Sequence, residues 1–325
     1  MNKADNYLKE TIYEILEEGQ WDKEPRTRWA DETPAHSKFV TQKVYQYDIS
    51  EGEYPINTLR TTALKGGFYD IEAIYIKQTN IVEEMHPSIH SWWKDAVVKV
   101  IYYLKDLKYG SRCSIPDIEK LKREFDGKGI KYKEETESYL GKTYGYTVKR
   151  YNLVNKLLKG LEENPFGRRH KISLWQEQQV IDDPKALEPC AGLTFLSVRE
   201  YDKFEVHKRY IDLTLIQRSM DLAVTSSINP AQYTMLAMMV CNHLTFKTGI
   251  KHEVGKLLHI VQNCHIYDRH LDCAKEILER ESTGIQPKIE LICEPKDFYQ
   301  HTIEDFRFSG LEGIKKLNNK LEIAI

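Results

Sequence analysis

The sequence predicts an α+β protein, one domain spanning residues 1–325 on a large mixed sheet with helices packed against it. Three observations predict this. Some segments place apolar residues at helical spacing and others alternate them at strand spacing. The two kinds follow one another without a regular strand–helix–strand repeat. Neither an internal repeat nor a low-complexity tract points to a solenoid or a disordered tail.

Leu8, Ile12, Ile15 and Leu16 form one helical face over residues 7–16. A polar stretch over 18–34 carries Arg26 and Arg28, and a strand follows over 39–49. Leu64, Phe68, Ile71 and Ile74 give a helix over 61–77 despite Gly66 and Gly67. Residues 94–140 differ in composition, rich in Lys, Glu and Tyr, with a loop over 111–116 before a short charged helix. They read as an inserted helical segment, a lid or subdomain. Leu153, Leu157, Leu158 and Leu161 mark an amphipathic helix over 151–163 that Asn164-Pro165 stops. Strands are expected over 193–198, 210–216, 256–262 and 289–293, and helices over 232–246 and 269–280.

Composition excludes several classes. With 41% hydrophobic and 30% charged residues, the chain reads as an ordinary globular protein able to bury a large core. The net charge of -2, with both signs interspersed, supplies no broad field for wrapping nucleic acid, so any anion site must be local. No apolar run reaches the roughly 20 residues of a membrane helix. Residues 1–5 lack the apolar core of a signal peptide, and a cytoplasmic location is expected. The 6 cysteines (113, 190, 241, 264, 273 and 293) include no CxxC pair and no His at zinc spacing, so neither a disulfide framework nor a metal is expected.

Four constellations could carry chemistry. Cys190 follows Pro189 and precedes the small residues Ala191 and Gly192, which leave room for a bulky partner near sulfur. On these residues alone a buried structural thiol is the commoner explanation, because a reactive cysteine needs a cation to hold it as thiolate. Gln217-Arg218-Ser219-Met220-Asp221 can supply that cation, and an Arg beside a Ser suits a phosphate: the guanidinium fork matches two oxygens and the hydroxyl donates to a third. Arg168-Arg169 is a second cationic pair; solvated surface charge is the plain alternative for both. Strand alternation points His265 and Tyr267 the same way, as hydrogen-bonding groups or as packed core residues. Asn229, before Pro230, either reads an amide edge or caps the following helix.

In order and approximate spacing, Phe166-Gly167-Arg168-Arg169, Glu188-Pro189-Cys190, Gln217 to Asp221, Asn229 with Gln232-Tyr233, and His265-Ile266-Tyr267 resemble the thymidylate synthase family. Arg26 before Thr33-Pro34-Ala35-His36, the Tyr144-Gly145-Tyr146 turn and the tail Leu321-Glu322-Ile323-Ala324-Ile325 look like its Gram-positive branch. The resemblance implies the family's fold and a homodimer that binds deoxyuridylate (dUMP) and 5,10-methylenetetrahydrofolate, with no metal, membrane or nucleic acid required. It implies that Cys190 adds to C6 of the pyrimidine, with Arg218 gripping both phosphate and thiolate. Arg26, Gln217 and Ser219 would serve the substrate, with Arg168 and Arg169 reaching its phosphate from the neighbouring subunit. Asn229 would pair with the uracil edge, an Asp there marking cytosine-selective relatives. His265 and Tyr267 would hold the sugar hydroxyl. Asp221, Trp93, the position of His90 and the terminal Ile325 would serve the folate, and Tyr144 would support proton transfer.

The sequence departs from the family at three places. The catalytic glutamate aligns with Asp70, one methylene shorter; the first tryptophan of the Ile-Trp-x-x-Trp segment aligns with His90; and the residue after the cysteine, often His, is Ala191. Losing an indole opens a hydroxymethylase reading, in which water rather than hydride meets the one-carbon unit. The intact tail argues for exclusion of water. Asp70 and His90 also admit a non-catalytic nucleotide- or RNA-binding member. A Cys–His hydrolase would need His265 bonded to Cys190.

Overall fold

The computed structural model describes residues 2–114, 117–182, 185–203 and 206–324. Helix α1 (Lys3–Glu18) is capped by Asn2, whose side chain accepts from the Asp5 N–H at 2.8 Å, and buries Leu8, Ile12 and Ile15. Strands β1 (Gln20–Trp21) and β2 (Ser37–Asp48) flank the polar segment that carries Arg26. Helix α2 (Leu64–Ile71) runs into a wider π turn at Glu72–Ile76, and α3 (His90–Trp93) is a single turn.

The segment expected as an insertion comprises β3 (Lys99–Asp106), β4 (Arg112–Ser114), α4 (Ile118–Gly127) and β5 (Tyr132–Tyr139). Its strands pair antiparallel in the order β4-β3-β5, so the helical segment expected here is instead a three-stranded sheet with one helix. Val100, Ile101, Tyr102 and Tyr103 explain the difference: β-branched and aromatic side chains favour the pleated backbone, while the surrounding Lys and Glu only solvate it. The loop expected over 111–116 is strand as far as Ser114; Ile115 and Pro116 lie outside the described residues.

Helices α5 (Gly145–Tyr151) and α6 (Leu153–Glu163) are divided by Asn152, held left-handed at φ 52, a conformation Asn tolerates better than most residues. The remainder comprises β6 (Lys171–Ser173), α7 (Glu177–Asp182), β7 (Ala191–Lys203), β8 (Val206–Asp221), α8 (Leu222–Thr225), α9 (Ile228–Thr248), β9 (Lys251–Tyr267), α10 (Leu271–Glu279), β10 (Lys288–Leu291) and β11 (Phe306–Ser309).

Six strands form the main sheet in the order β1-β2-β9-β8-β7-β6. All its pairs are antiparallel except β8–β9, whose parallel pairing needs the crossover that α8 and α9 provide. Helix α9 covers the core face, where Ile211, Leu213 and Leu215 are buried, and is itself buried nearly all round. On the opposite face Val44, Ile260, Ile216 and Leu193 run in one row across four strands. That face is open: Val44 is 54% exposed, and Phe195 in the next row 39%.

Pairing is irregular along the row Lys43, Val261, Gln217 and Ala191. The β7–β8 register shifts between Ala191 and Leu193, and Gln42 sits at φ 61. Such irregularities re-aim the residues beside them. Cys190 and Arg218 are those residues.

Candidate active site

Cys190 leads into β7, and the backbone before it is held from two sides. Trp175 Nε1 donates to the Pro189 carbonyl at 2.9 Å, while Arg218 donates from Nε to Pro189 at 3.2 Å and from a terminal nitrogen to Glu188 at 2.8 Å. The Arg218 N–H closes the pairing onto the Cys190 carbonyl at 2.9 Å. These bonds lock the guanidinium beside the cysteine. Burial pushes the Cys190 thiol up, and the positive charges of Arg218 and Arg26 pull it back without overcoming burial. The expected cation is in place, but the free protein's thiol remains above its ordinary value. Gly192 has a different role from the one its size suggested: a Cβ there would meet Trp175 Nε1 at 2.5 Å, so the small residue makes room for the indole.

Tyr144 stands at the start of α5 with φ 45, a strained conformation for a bulky residue. Gly145 permits the turn, since a Cβ there would lie 2.1 Å from the Thr79 carbonyl. The strain aims the phenol inward, where its oxygen accepts from the Cys190 N–H at 3.2 Å. The Tyr144 ring meets Trp93 edge-on at 4.9 Å, and Trp93 Nε1 donates to Asp70 Oδ1 at 2.9 Å. Gln232 donates to the other Asp70 oxygen, also at 2.9 Å. Burial raises the Asp70 carboxyl to about 6, against the pull of these two donors. Cys190, Tyr144, Trp93 and Asp70 therefore form one connected wall.

Asn229 lies within the first turn of α9, and Ser227, not Asn229, holds the cap position. Its partly exposed amide makes no hydrogen bond among the described residues. At the end of β9, His265 and Tyr267 are buried with their rings 4.9 Å apart. Burial lowers the pKa of His265, whose Nδ1 lies 3.0 Å from Asn263 Oδ1. The Tyr267 phenol is pushed up to about 12 by burial, and it feels the charges of Asp221 and Cys190. Ser219 is partly exposed on the same strand as Arg218. Gln217 is only 1% exposed, and its amide is committed to His259 and the Ser219 carbonyl, each at 2.8 Å. Asp221 caps α8.

Three sites stand apart. Arg168 and Arg169 are exposed beside Phe166 and Trp175 at the start of β6, without hydrogen bonds or ion pairs among the described residues. His90 turns its Nε2 to the Met85 carbonyl at 3.2 Å. Ile325 lies outside the described residues; the preceding Ala324 packs on Trp29, Ala35 and Tyr267, and Arg269 bonds Glu322 at 3.2 Å, which holds the tail against the Tyr267 side of the site. Sequence reasoning gave no role to Gln232, Trp175, Arg60 or His270. Gln232 had a faint signal in its place three residues beyond Asn229, on one face of the same helix.

No histidine bonds the Cys190 thiol among the described residues, and His265 spends Nδ1 on Asn263. The Cys–His hydrolase arrangement is absent there. The described residues also contain no group of three or more His, Cys, Asp or Glu placed to hold a metal ion.

The thymidylate synthase family model matches residues 5–323, nearly the whole chain. The chain belongs to the thymidylate synthase family. Thymidylate synthases of Streptococcus thermophilus and Streptococcus pneumoniae are 32% and 34% identical to it, over 328 and 326 aligned residues, with 100% of both chains covered in each case. Among solved structures, the thermostable thymidylate synthase A from Bacillus subtilis superposes with a TM-score of 0.69 at 26% identity, covering 99% of each chain. The α+β fold expected from the sequence is the family's fold, and the alternatives drawn from Asp70 and His90 are not favoured by these likenesses.

Proposed function

We propose that this chain is a thymidylate synthase that methylates dUMP at C5, with 5,10-methylenetetrahydrofolate supplying both the carbon and the hydride. The observation that carries the reading is the Arg218 guanidinium locked beside Cys190 by the carbonyls of Glu188 and Pro189. Cys190 adds to C6 and the electron pair moves to C5, which bonds the donated methylene. Proton removal from C5, release of the carrier, hydride transfer and loss of sulfur complete dTMP and dihydrofolate. The raised free-protein thiol fits this order: the thiolate is wanted once a nucleotide is seated, and Arg218 and Arg26 then serve sulfur and phosphate together.

Ser219, Arg26 and Gln217 serve the phosphate side, Gln217 from inside the strand. Asn229 reads the uracil edge with its unspent amide, and His265 and Tyr267 hold the sugar. Asp70 organises proton movement at O4, and its raised pKa suits exchange near neutrality. Tyr144 supports proton transfer beside the cysteine. Asp221 and Trp93 contact the folate, with the tail and Ile325 closing over it; His90, turned to Met85, flanks that region. The active unit is a cytoplasmic homodimer joined through the apolar row at Val44, Ile260, Ile216 and Leu193, with Arg168 and Arg169 donated across to the partner's phosphate. Residues 1–325 act as one catalytic domain with the small sheet of the insertion attached.

Incubation with dUMP and methylenetetrahydrofolate tests the reaction. Stoichiometric dTMP and dihydrofolate are expected. Persistent tetrahydrofolate with a 5-hydroxymethyl nucleotide would instead mean that water captures the methylene. For the dimer, Cys190→Ser and Arg169→Ala are mixed after denaturation: random assortment should restore up to about one quarter of parental activity if sites are shared. No recovery would refute the shared phosphate site.

A further inference from the structure

Asp221 uses one oxygen to cap α8, where Oδ1 accepts from the Val224 N–H at 3.2 Å. Its other oxygen, Oδ2, lies 3.6 Å from Nδ1 of His270. His270 is fully buried, and neither ring nitrogen has a hydrogen-bond partner among the described residues. Trp29 and Tyr267 orient the ring by edge-on contacts at 5.5 and 6.1 Å. A wholly buried imidazole without partners is uncommon, because both nitrogens have left water and gained nothing in exchange. Arg60 adds to the same cluster. It is buried, donates to the Thr61 and Val224 carbonyls at 3.0 and 2.7 Å, leaves Nε unpaired and interacts electrostatically with Asp221.

We infer that His270 is a positioning residue that holds the free oxygen of Asp221 and so aims this carboxylate at the N–H edge of the pterin. The inference rests on the proposed reading of Asp221 as the folate contact. A carboxylate fastened through one oxygen can still turn about its Cβ–Cγ bond; a donor on the second oxygen removes that freedom before the cosubstrate binds. Closing 3.6 Å to hydrogen-bond distance needs a movement of less than about 1 Å.

Two substitutions separate aiming from packing. His270→Phe keeps an aromatic ring against Trp29 and Tyr267 but removes the donor, whereas His270→Asn returns a donor near the Nδ1 position. In His270→Phe the KM for methylenetetrahydrofolate should rise about tenfold, the scale of one charge-assisted hydrogen bond. The Kd for dUMP alone should stay within about twofold, and His270→Asn should recover much of the folate KM. A lowered Tm in both variants with an unmoved folate KM would overturn the inference in favour of packing alone. Asp221→Ala is measured beside them. If it too leaves the folate KM unmoved, the pterin reading of Asp221 falls and this inference with it. If Asp221→Ala raises the KM and His270→Phe does not, this inference alone falls.

Discussion

Around Cys190 the polar groups are satisfied from within the chain: Tyr144 takes the Cys190 N–H, Trp93 and Gln232 hold Asp70, and the Glu188 and Pro189 carbonyls hold Arg218. Around Asp221 the pattern reverses. Arg60 Nε and both nitrogens of His270 are buried without partners, as are Ser226 Oγ just beyond α8 and Thr62 Oγ1 farther along the same segment as Arg60. The contrast separates two tasks. Groups beside Cys190, the proposed nucleophile, are preorganised, so no reorganisation is needed when charge develops. Groups beside Asp221, the proposed folate contact, carry an unrecovered desolvation cost, which ligand-induced closure can return as binding energy.

The largest expected effect lies on the satisfied side. Cys190→Ser should lower kcat by about four orders of magnitude or more while dUMP binding stays measurable by calorimetry. Retained turnover would remove the nucleophile from the account and the meaning from the contrast.

Asp70→Asn should lower kcat by about 100-fold or more, the usual scale for a proton-transfer group. It should also change the pH dependence of stability. Burial raises the folded carboxyl from 3.8 to about 6, so the folded state binds this proton more tightly than the unfolded chain does. The group's contribution to stability is therefore full below its unfolded value and lost as pH rises through about 6. Asparagine carries no charge to bury, so Asp70→Asn should gain on the parent between about pH 4 and pH 7, by at most about 3 kcal/mol. Urea unfolding at both ends of that window checks it; a constant difference would contradict the burial argument.

Most helices were legible because apolar residues at three- and four-residue spacing mark a buried face with little competition, as Leu153 to Leu161 do in α6. Strands were found but drawn short. β9 begins at Lys251 and carries Glu253 near its outer end, where solvated side chains hide the alternation. The strands of residues 99–139 were hidden because Lys and Glu outweigh the Val100–Tyr103 run in composition. In the site, Arg218 was only one candidate cation for Cys190 until the ordered set of motifs joined them, since 28 residues separate their positions along the chain. The Gln232–Asp70 bond spans 162 residues and left no local mark, and a buried His270 with unpaired nitrogens has no signature in sequence at all.

Asn229→Asp should shift base preference towards cytosine nucleotides by about tenfold, because the exchanged group reverses one donor into an acceptor. Unchanged kcat/KM ratios for dUMP and dCMP would assign base reading to another residue. The smallest effects sharpen the contrast most directly. Tyr144→Phe removes a partner from the Cys190 N–H and should cost about 1–2 kcal/mol in unfolding free energy. Ser226→Ala removes a buried hydroxyl that has no partner and should cost less than about 0.5 kcal/mol, or stabilise. Equal losses in the two variants would erase the distinction between the two sides.

Incubation with 5-fluoro-dUMP and methylenetetrahydrofolate, followed by denaturation and peptide mass spectrometry, puts the account to its plainest trial. Blocking the C5 proton should trap nucleotide and folate covalently on the peptide that contains Cys190, in no more than one copy per chain. Nucleotide that binds yet leaves this peptide at its unmodified mass, or an adduct carried by any of the other five cysteines, would contradict it.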